Sequence, residues 1–302
     1  TVKPLSFVEV PFGKQIATGI VLKTKPRSRQ AKKKIIRVLS NGPVFNGLQV
    51  ELAAKISQYC FASFPDTLNN FLPPLNKRDL KTIGSNIKPV RFKTTAGACF
   101  IGDFSSRIEF FCQNARAEGQ NVLILPTILK AQKALNKIRQ IMPERAAYIW
   151  HSFLSSDQKA ATWQKILSGE KVIIVGTRQA MFLPFSRLAT AQIDNPANLS
   201  YREDQSPYYN SYSVARTLTK ISNARLIVSA DCPDLLTYAA ILKGTLELKE
   251  IKSKTRYQLF DSWKKAQENL QFLNKVTQFL SAGKRVAFVS YFKEFQKIIC
   301  RE

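Results

Sequence analysis

The chain has 302 residues, with 46 Lys and Arg against 21 Asp and Glu, a formal net charge of +25. A surplus of that size attracts polyanions, so nucleic acid is the first class of partner that composition points to. No run of 18 apolar residues is present to span a membrane, and no signal-like apolar block opens the chain. Cys60, Cys99, Cys112, Cys232 and Cys300 are scattered without a C-x-x-C pair, and His151 is the only histidine. A disulfide framework or a self-contained metal site is therefore not expected, and the compartment reads as reducing and cytoplasmic.

Residues 6–10 and 17–22 are β-prone runs separated by the turn signal Pro11-Phe12-Gly13. The loop 23–34 follows, with Lys23, Lys25, Arg27, Arg29, Lys32, Lys33 and Lys34 and no acid. Charges in such a connection either cross a phosphate backbone or simply face solvent. A strand at 35–39, a turn at 41–43 and an amphipathic helix over 48–61 complete a small β-rich unit, 1–75. Residues 76–98 are polar, basic and punctuated by Gly and Pro, which suggests a linker. Beyond them, short apolar strands at 122–125, 147–150, 172–175, 226–229 and 286–289 alternate with helical patterns such as 127–141 and 155–167. The alternation predicts an α/β fold with a parallel sheet covered on both faces.

The most informative stretch is 151–188. Four apolar residues, 172–175, closed by Gly176 and Thr177, read as a buried parallel strand that delivers Arg178 and the apolar loop 181–185 to the sheet's carboxyl edge. Open α/β sheets bind ligands at that edge. The set His151, Ser152, Leu154, Ser155, Gly176, Thr177, Arg178, Pro184 and Phe185 resembles the primosomal protein N′ helicases, which restart stalled replication forks. Residues 8–21, from Val8 through Gly13 to Val21, are similar to the start of that family's domain for DNA 3′ ends, and 199–215 is a third matching block.

The resemblance implies a 3′-end DNA-binding domain over 1–75 and a linker over 76–98 in place of a winged-helix domain. A RecA-like helicase lobe would follow over 99–245, with the start of a second lobe over 246–302. Thr1 and Glu302 fall within family motifs, which implies a chain shortened at both ends. In the 3′-end pocket, Gly13 matches, Lys33 stands as the basic partner, and the acidic partner is missing. Thr177 and Arg178 match positions that hold the DNA backbone. Tyr201, Arg202, Tyr208, Tyr209 and Tyr212 fall in a loop that senses single strand, where rings stack on bases or else pack the loop onto the lobe. Cys300 would be a first zinc ligand, binding only if the chain continued, since structural zinc takes four.

The family uses ATP, Mg²⁺ and structural Zn²⁺, yet the ATPase motifs here depart from its pattern. Arg107 stands for the phosphate-binding lysine and Ile108 for the metal-binding threonine, with both loop glycines replaced. The Asp-Glu-Glu-His box reads Asp194-Asn195-Pro196-Ala197, and Asn195 is no base. Ser229-Ala230-Asp231-Cys232 replaces Ser-Ala-Thr-Pro. The expectation is a DNA-binding pseudo-helicase acting at forked or 3′-ended DNA in replication restart. The alternatives are an active 3′-to-5′ helicase with compensated motifs, or a sequence in decay. Expected partners are DNA and, by family analogy, single-strand-binding protein and primosome components, in the nucleoid and away from any membrane.

Overall fold

A computed structural model describes residues 2–25, 33–40, 42–72, 89–93 and 96–250, and, in one helical stretch, 274, 277, 278 and 280–282. The chain divides into two units, 1–251 and 252–302, and every strand and helix named below lies in the first. The expected strand at 286–289 lies outside the described residues.

The N-terminal sheet is antiparallel, with β1 (Phe7–Phe12) between β2 (Gln15–Ile20) and β3 (Arg37–Val38). Gly13 sits at φ +60° in the β1–β2 turn, and a Cβ there would meet no atom, so backbone conformation rather than space selects glycine. Opposite residues Glu9 and Arg37 fix the β1–β3 register: Arg37 Nε and Nη2 donate to the Glu9 carboxylate at 2.5 and 3.1 Å. Two helices follow, α1 (Gly47–Cys60) and α2 (Phe64–Asn69). Asn46 caps α1 in a capping box with Gln49, and the helix stops at Phe61 in left-handed backbone.

The large sheet has seven parallel strands in the order β10-β4-β9-β8-β5-β7-β6. In chain order they are β4 (Gly97–Ile101), β5 (Gln120–Ile124), β6 (Ala147–Trp150), β7 (Ile173–Gly176), β8 (Leu188–Asp194), β9 (Arg225–Ala230) and β10 (Leu246–Glu250). The helices are α3 (Phe104–Asn114), α4 (Ile128–Ile141), α5 (Ser156–Leu167), α6 (Ser211–Ser222) and α7 (Leu235–Leu242). Two hydrophobic clusters, one around Val122, Ile174 and Ile193 and the other around Leu123, Ile138 and Val175, cover the sheet on both faces. This is the layered α/β arrangement that strand–helix alternation predicts. Thr127 and Ser155 cap α4 and α5, one residue outside each helix. The apolar-run pattern does not mark β4, β8 or β10. The sheet runs from Gly97 to Glu250, reaching past both ends of the 99–245 span drawn from the sequence.

Polar anchors dock α1 on the lobe. Asn46 Nδ2 donates to the Phe185 carbonyl and Gln49 Nε2 to the Phe182 carbonyl, each at 2.9 Å and buried. The Phe182 ring meets Phe71 edge-on at 4.9 Å and Tyr209 edge-on at 5.2 Å. The loop 181–185 is thus the landing site of the N-terminal domain. Gln49→Ala orphans the Phe182 carbonyl and breaks the capping box together. A loss of about 1–3 kcal/mol is expected in denaturant melts, whereas Gln58→Ala, on an exposed residue of the same helix, is expected to change little.

Candidate functional site

The turn from β4 into α3 is two residues long, Gly102 and Asp103. Asp103 caps α3, its carboxylate accepting from the Ser106 amide at 2.9 Å and the Ser106 hydroxyl at 3.2 Å. The Ser106 amide foremost holds this carboxyl below its ordinary value. A helix N-terminus behind a parallel strand is a ready seat for a phosphate. Here the chain's own carboxylate occupies that position.

One turn into α3, Arg107 points back under the carboxyl edge with 1% of its side chain exposed. Its Nε donates to Asp194 Oδ1 at 2.7 Å and its Nη1 to the Gly102 carbonyl at 2.6 Å; Nη1 also pairs with Asp231 Oδ1. Asp194, at the end of β8, is itself fully buried. Its Oδ1 accepts a second hydrogen bond from the Ser229 hydroxyl of β9 at 2.9 Å, and Gln192 Nε2 donates to that hydroxyl (2.9 Å) and to the Arg107 carbonyl (3.1 Å). Burial pushes the Asp194 carboxyl up from its ordinary value, against the opposing pull of Arg107 and Ser229. One guanidinium therefore ties together the β4–α3 turn, the end of β8 and the residue just beyond β9.

Asn195 joins the same network, and Ile108 joins the core. Asn195 adopts φ +49°, a left-handed conformation that Asn tolerates. Its Oδ1 accepts from the Asp231 amide at 3.2 Å and its Nδ2 donates to Asp231 Oδ2 at 3.4 Å. Ile108 is wholly buried among Phe111, Leu123 and Val175. As a donor set for Mg-ATP these residues do not fit. Position 108 offers no hydroxyl, Asp194 Oδ1 is taken by Arg107, and Asp194 Oδ2 is sealed in the interior with no hydrogen-bond partner. Asp103, Gln192 and Asp231 as working partners are not legible as such from motif reading. The one available signal is the presence of a cation at 107 and a carboxylate at 231.

On the next strands, Gly176 is required by close approach: a Cβ there would lie 2.4 Å from the Trp150 carbonyl. His151, behind β6, is buried and its Nδ1 accepts from the Phe153 amide at 3.2 Å; burial foremost lowers its pKa. Thr177 is partly exposed and makes no capping bond with its hydroxyl. Arg178 is engaged internally, donating to the carbonyls of Ser200 (2.9 Å) and Arg202 (3.2 Å) and pairing with Glu203 at 3.1 Å. Three of the four tyrosines expected in the sensing loop are core residues. Tyr201 is buried with its hydroxyl 2.8 Å from the Asp194 carbonyl, Tyr209 packs on Phe182, and Tyr212 is buried in the first turn of α6. Burial foremost pushes all three phenols up. Of the four, only Tyr208 is exposed, at 67%, and Arg202 is exposed in the same segment.

In the N-terminal sheet, Gly13 and Lys33 come together: Lys33 Nζ donates to the Gly13 carbonyl at 3.2 Å. Lys23, Lys25 and Lys34 are exposed. Arg27, Arg29, Lys32 and Cys300 lie outside the described residues. No cluster of three or more metal-ligating side chains occurs among the described residues, and the four described cysteines are free thiols. No described helix is long and apolar enough to cross a membrane.

Residues 1–73 match the family model of the 3′DNA-binding domain (3′BD) of PriA. The chain is 25% identical over 296 residues to the replication restart protein PriA of Helicobacter pylori strain 26695, covering 91% of this chain and 45% of that one. It is 30% identical over 132 residues to PriA of Synechocystis, covering 43% and 16%. At low identity, the chain is similar to replication restart proteins PriA. It spans under half the length of these PriA relatives. Among solved structures, it is similar to RecG bound to a three-way DNA junction, at 11% identity and a TM-score of 0.39, over 78% of this chain and 27% of that one.

The buried bridge makes a clear contrast between its two ends. Arg107→Met strands the Asp194 carboxylate and is expected to cost about 3–5 kcal/mol of stability in denaturant melts. Asp231→Asn, at a side chain 70% exposed, is expected to cost less than about 1 kcal/mol.

Proposed function

We propose that this chain binds forked or 3′-ended DNA in replication restart, with a helicase lobe that serves as scaffold and does not turn over ATP. The observation that supports the second half is the Arg107 bridge to Asp194 and Asp231 at the sheet's carboxyl edge, where the family resemblance would put nucleotide. The substituted residues satisfy one another instead of leaving buried charges unpaired, which favours a matched set over a sequence in decay. DNA binding is supported by the match of residues 1–73, the low-identity relation to PriA and the net charge of +25.

Under this reading 1–75 is the DNA-end domain, 76–98 its linker, 99–245 the first lobe and 246–302 the beginning of a second. Gly13 and Lys33 line the end-binding position, where glycine lets a nucleotide approach the backbone and lysine supplies phosphate charge. Lys23, Lys25, Arg27, Arg29, Lys32 and Lys34 add charge along the duplex, while Thr177, Arg202 and Tyr208 face the single strand. Arg178 positions the 200–203 segment that presents them. Protein partners are the single-strand-binding protein and later primosome components, and the setting is the nucleoid.

Replacing the seven basic residues of the 23–34 loop by Ser is expected to weaken fork binding and to flatten the dependence of log K on log salt by about 0.9 for each phosphate that the loop no longer neutralises. Lys33→Ala alone is expected to weaken binding to a fork with an exposed 3′ end more than to a fork without one. Fluorescence anisotropy on forks of both kinds reads the two effects. Unchanged affinity and slope in the sevenfold variant would remove the loop from the interface.

A further inference from the structure

A cleft of about 820 Å³ opens between α1 and α6, away from the Arg107 network. Its walls are two side-chain ladders at helical spacing. On α1, Lys55 and Tyr59 stand four residues apart and so share a face; on α6, Arg216 and Lys220 do the same. Arg91 closes one side. Four cations therefore line the cleft against one carboxylate, Glu51. All four are exposed, and none forms an ion pair among the described residues. Four uncompensated cations converging on one concavity repel one another, so their arrangement favours an anionic occupant.

We infer that this cleft is a second nucleic-acid site, one that holds single-stranded DNA along its phosphodiester backbone without need of an end. Tyr59 decides between single strand and duplex. Its ring is 67% exposed and lies one helical turn from Lys55, a pairing of aromatic face and cation that suits an unstacked base beside its phosphate. A duplex keeps its base faces stacked inside and has no use for such a ring. The cleft exists only because α1 is docked on the lobe through Asn46 and Gln49, so it belongs to the joined N-terminal domain and lobe and to neither alone. This site goes beyond the end-binding role proposed for Gly13 and Lys33. It would hold strand that runs on past the captured end.

The test uses the full chain and circular single-stranded DNA, which has no 3′ end, so failure of the end-binding role does not affect it. The variant K55Q/R91Q/R216Q/K220Q is expected to bind the circle more weakly, with a salt slope lower by about 3, from roughly 0.7 per neutralised phosphate on single strands. Tyr59→Ala is expected to weaken binding about tenfold with an unchanged slope, the loss of one stacked base. A control with Gln at the exposed Lys3, Lys133, Lys171 and Lys243 removes the same charge elsewhere and is expected to change the slope little. If the fourfold variant melts early, Lys220→Glu alone carries the same comparison. Equal losses in control and cleft variants, or none in the cleft variants, would overturn the site. Equal weakening of blunt duplex by Tyr59→Ala would overturn the assignment to single strand.

Discussion

A guanidinium sealed from water costs several kcal/mol unless anions and carbonyls meet it, and the carboxyl edge of this sheet is arranged around that requirement. Arg107 enters from α3, β8 supplies Asp194, β9 supplies Ser229 and, just beyond its end, Asp231, and the two-residue turn supplies the Gly102 carbonyl. Gln192 joins the Ser229 hydroxyl to the Arg107 backbone, so helix and strands are held by one polar network. The edge where an open α/β sheet receives its ligand is closed by internal charge. Arg107, Asn195 and Asp231 are complementary in charge and geometry.

A second organising element is the loop 181–185. Its Phe182 ring is gripped by Phe71 from the N-terminal domain and Tyr209 from the segment after β8, while its backbone carbonyls receive Gln49 and Asn46. The loop thus packs three parts of the molecule together, whether or not nucleotide binds. The same docking brings α1 beside α6 and creates the basic cleft, so stability of the joint and reach along a DNA strand are linked.

Much of the layer order was legible in the sequence. The run at 147–150 matches β6 to the residue, and Thr127 and Ser155 mark their helices as caps. Strand β8 was not legible, because Leu188–Asp194 mixes Ala, Thr, Gln and Asp with its apolar residues. All seven are buried, and the polar ones bond to partners distant in sequence, Thr190 to the Asn114 carbonyl and Gln192 through its amide nitrogen to Arg107 and Ser229. The tyrosines failed for a related reason. A Tyr carries an apolar ring and a polar tip, so sequence does not separate a buried Tyr201, its hydroxyl on the Asp194 carbonyl, from the exposed Tyr208. From sequence, Arg107 is expected to stand where the family has a phosphate-binding lysine; which carboxylates it meets, Asp194 and Asp231, only the fold shows.

The most direct test of a self-closed nucleotide site is a titration of the wild-type chain with Mg-ATP and with a non-hydrolysable analogue, read by calorimetry and by thermal melting. A ligand bound at a hundred times its Kd stabilises the native state by about 2.7 kcal/mol, a shift that melting resolves easily. The account requires no saturable heat and no rise in Tm up to millimolar nucleotide. Saturable binding that disappears in Arg107→Ala would contradict it, because Arg107 would then hold phosphate rather than exclude it.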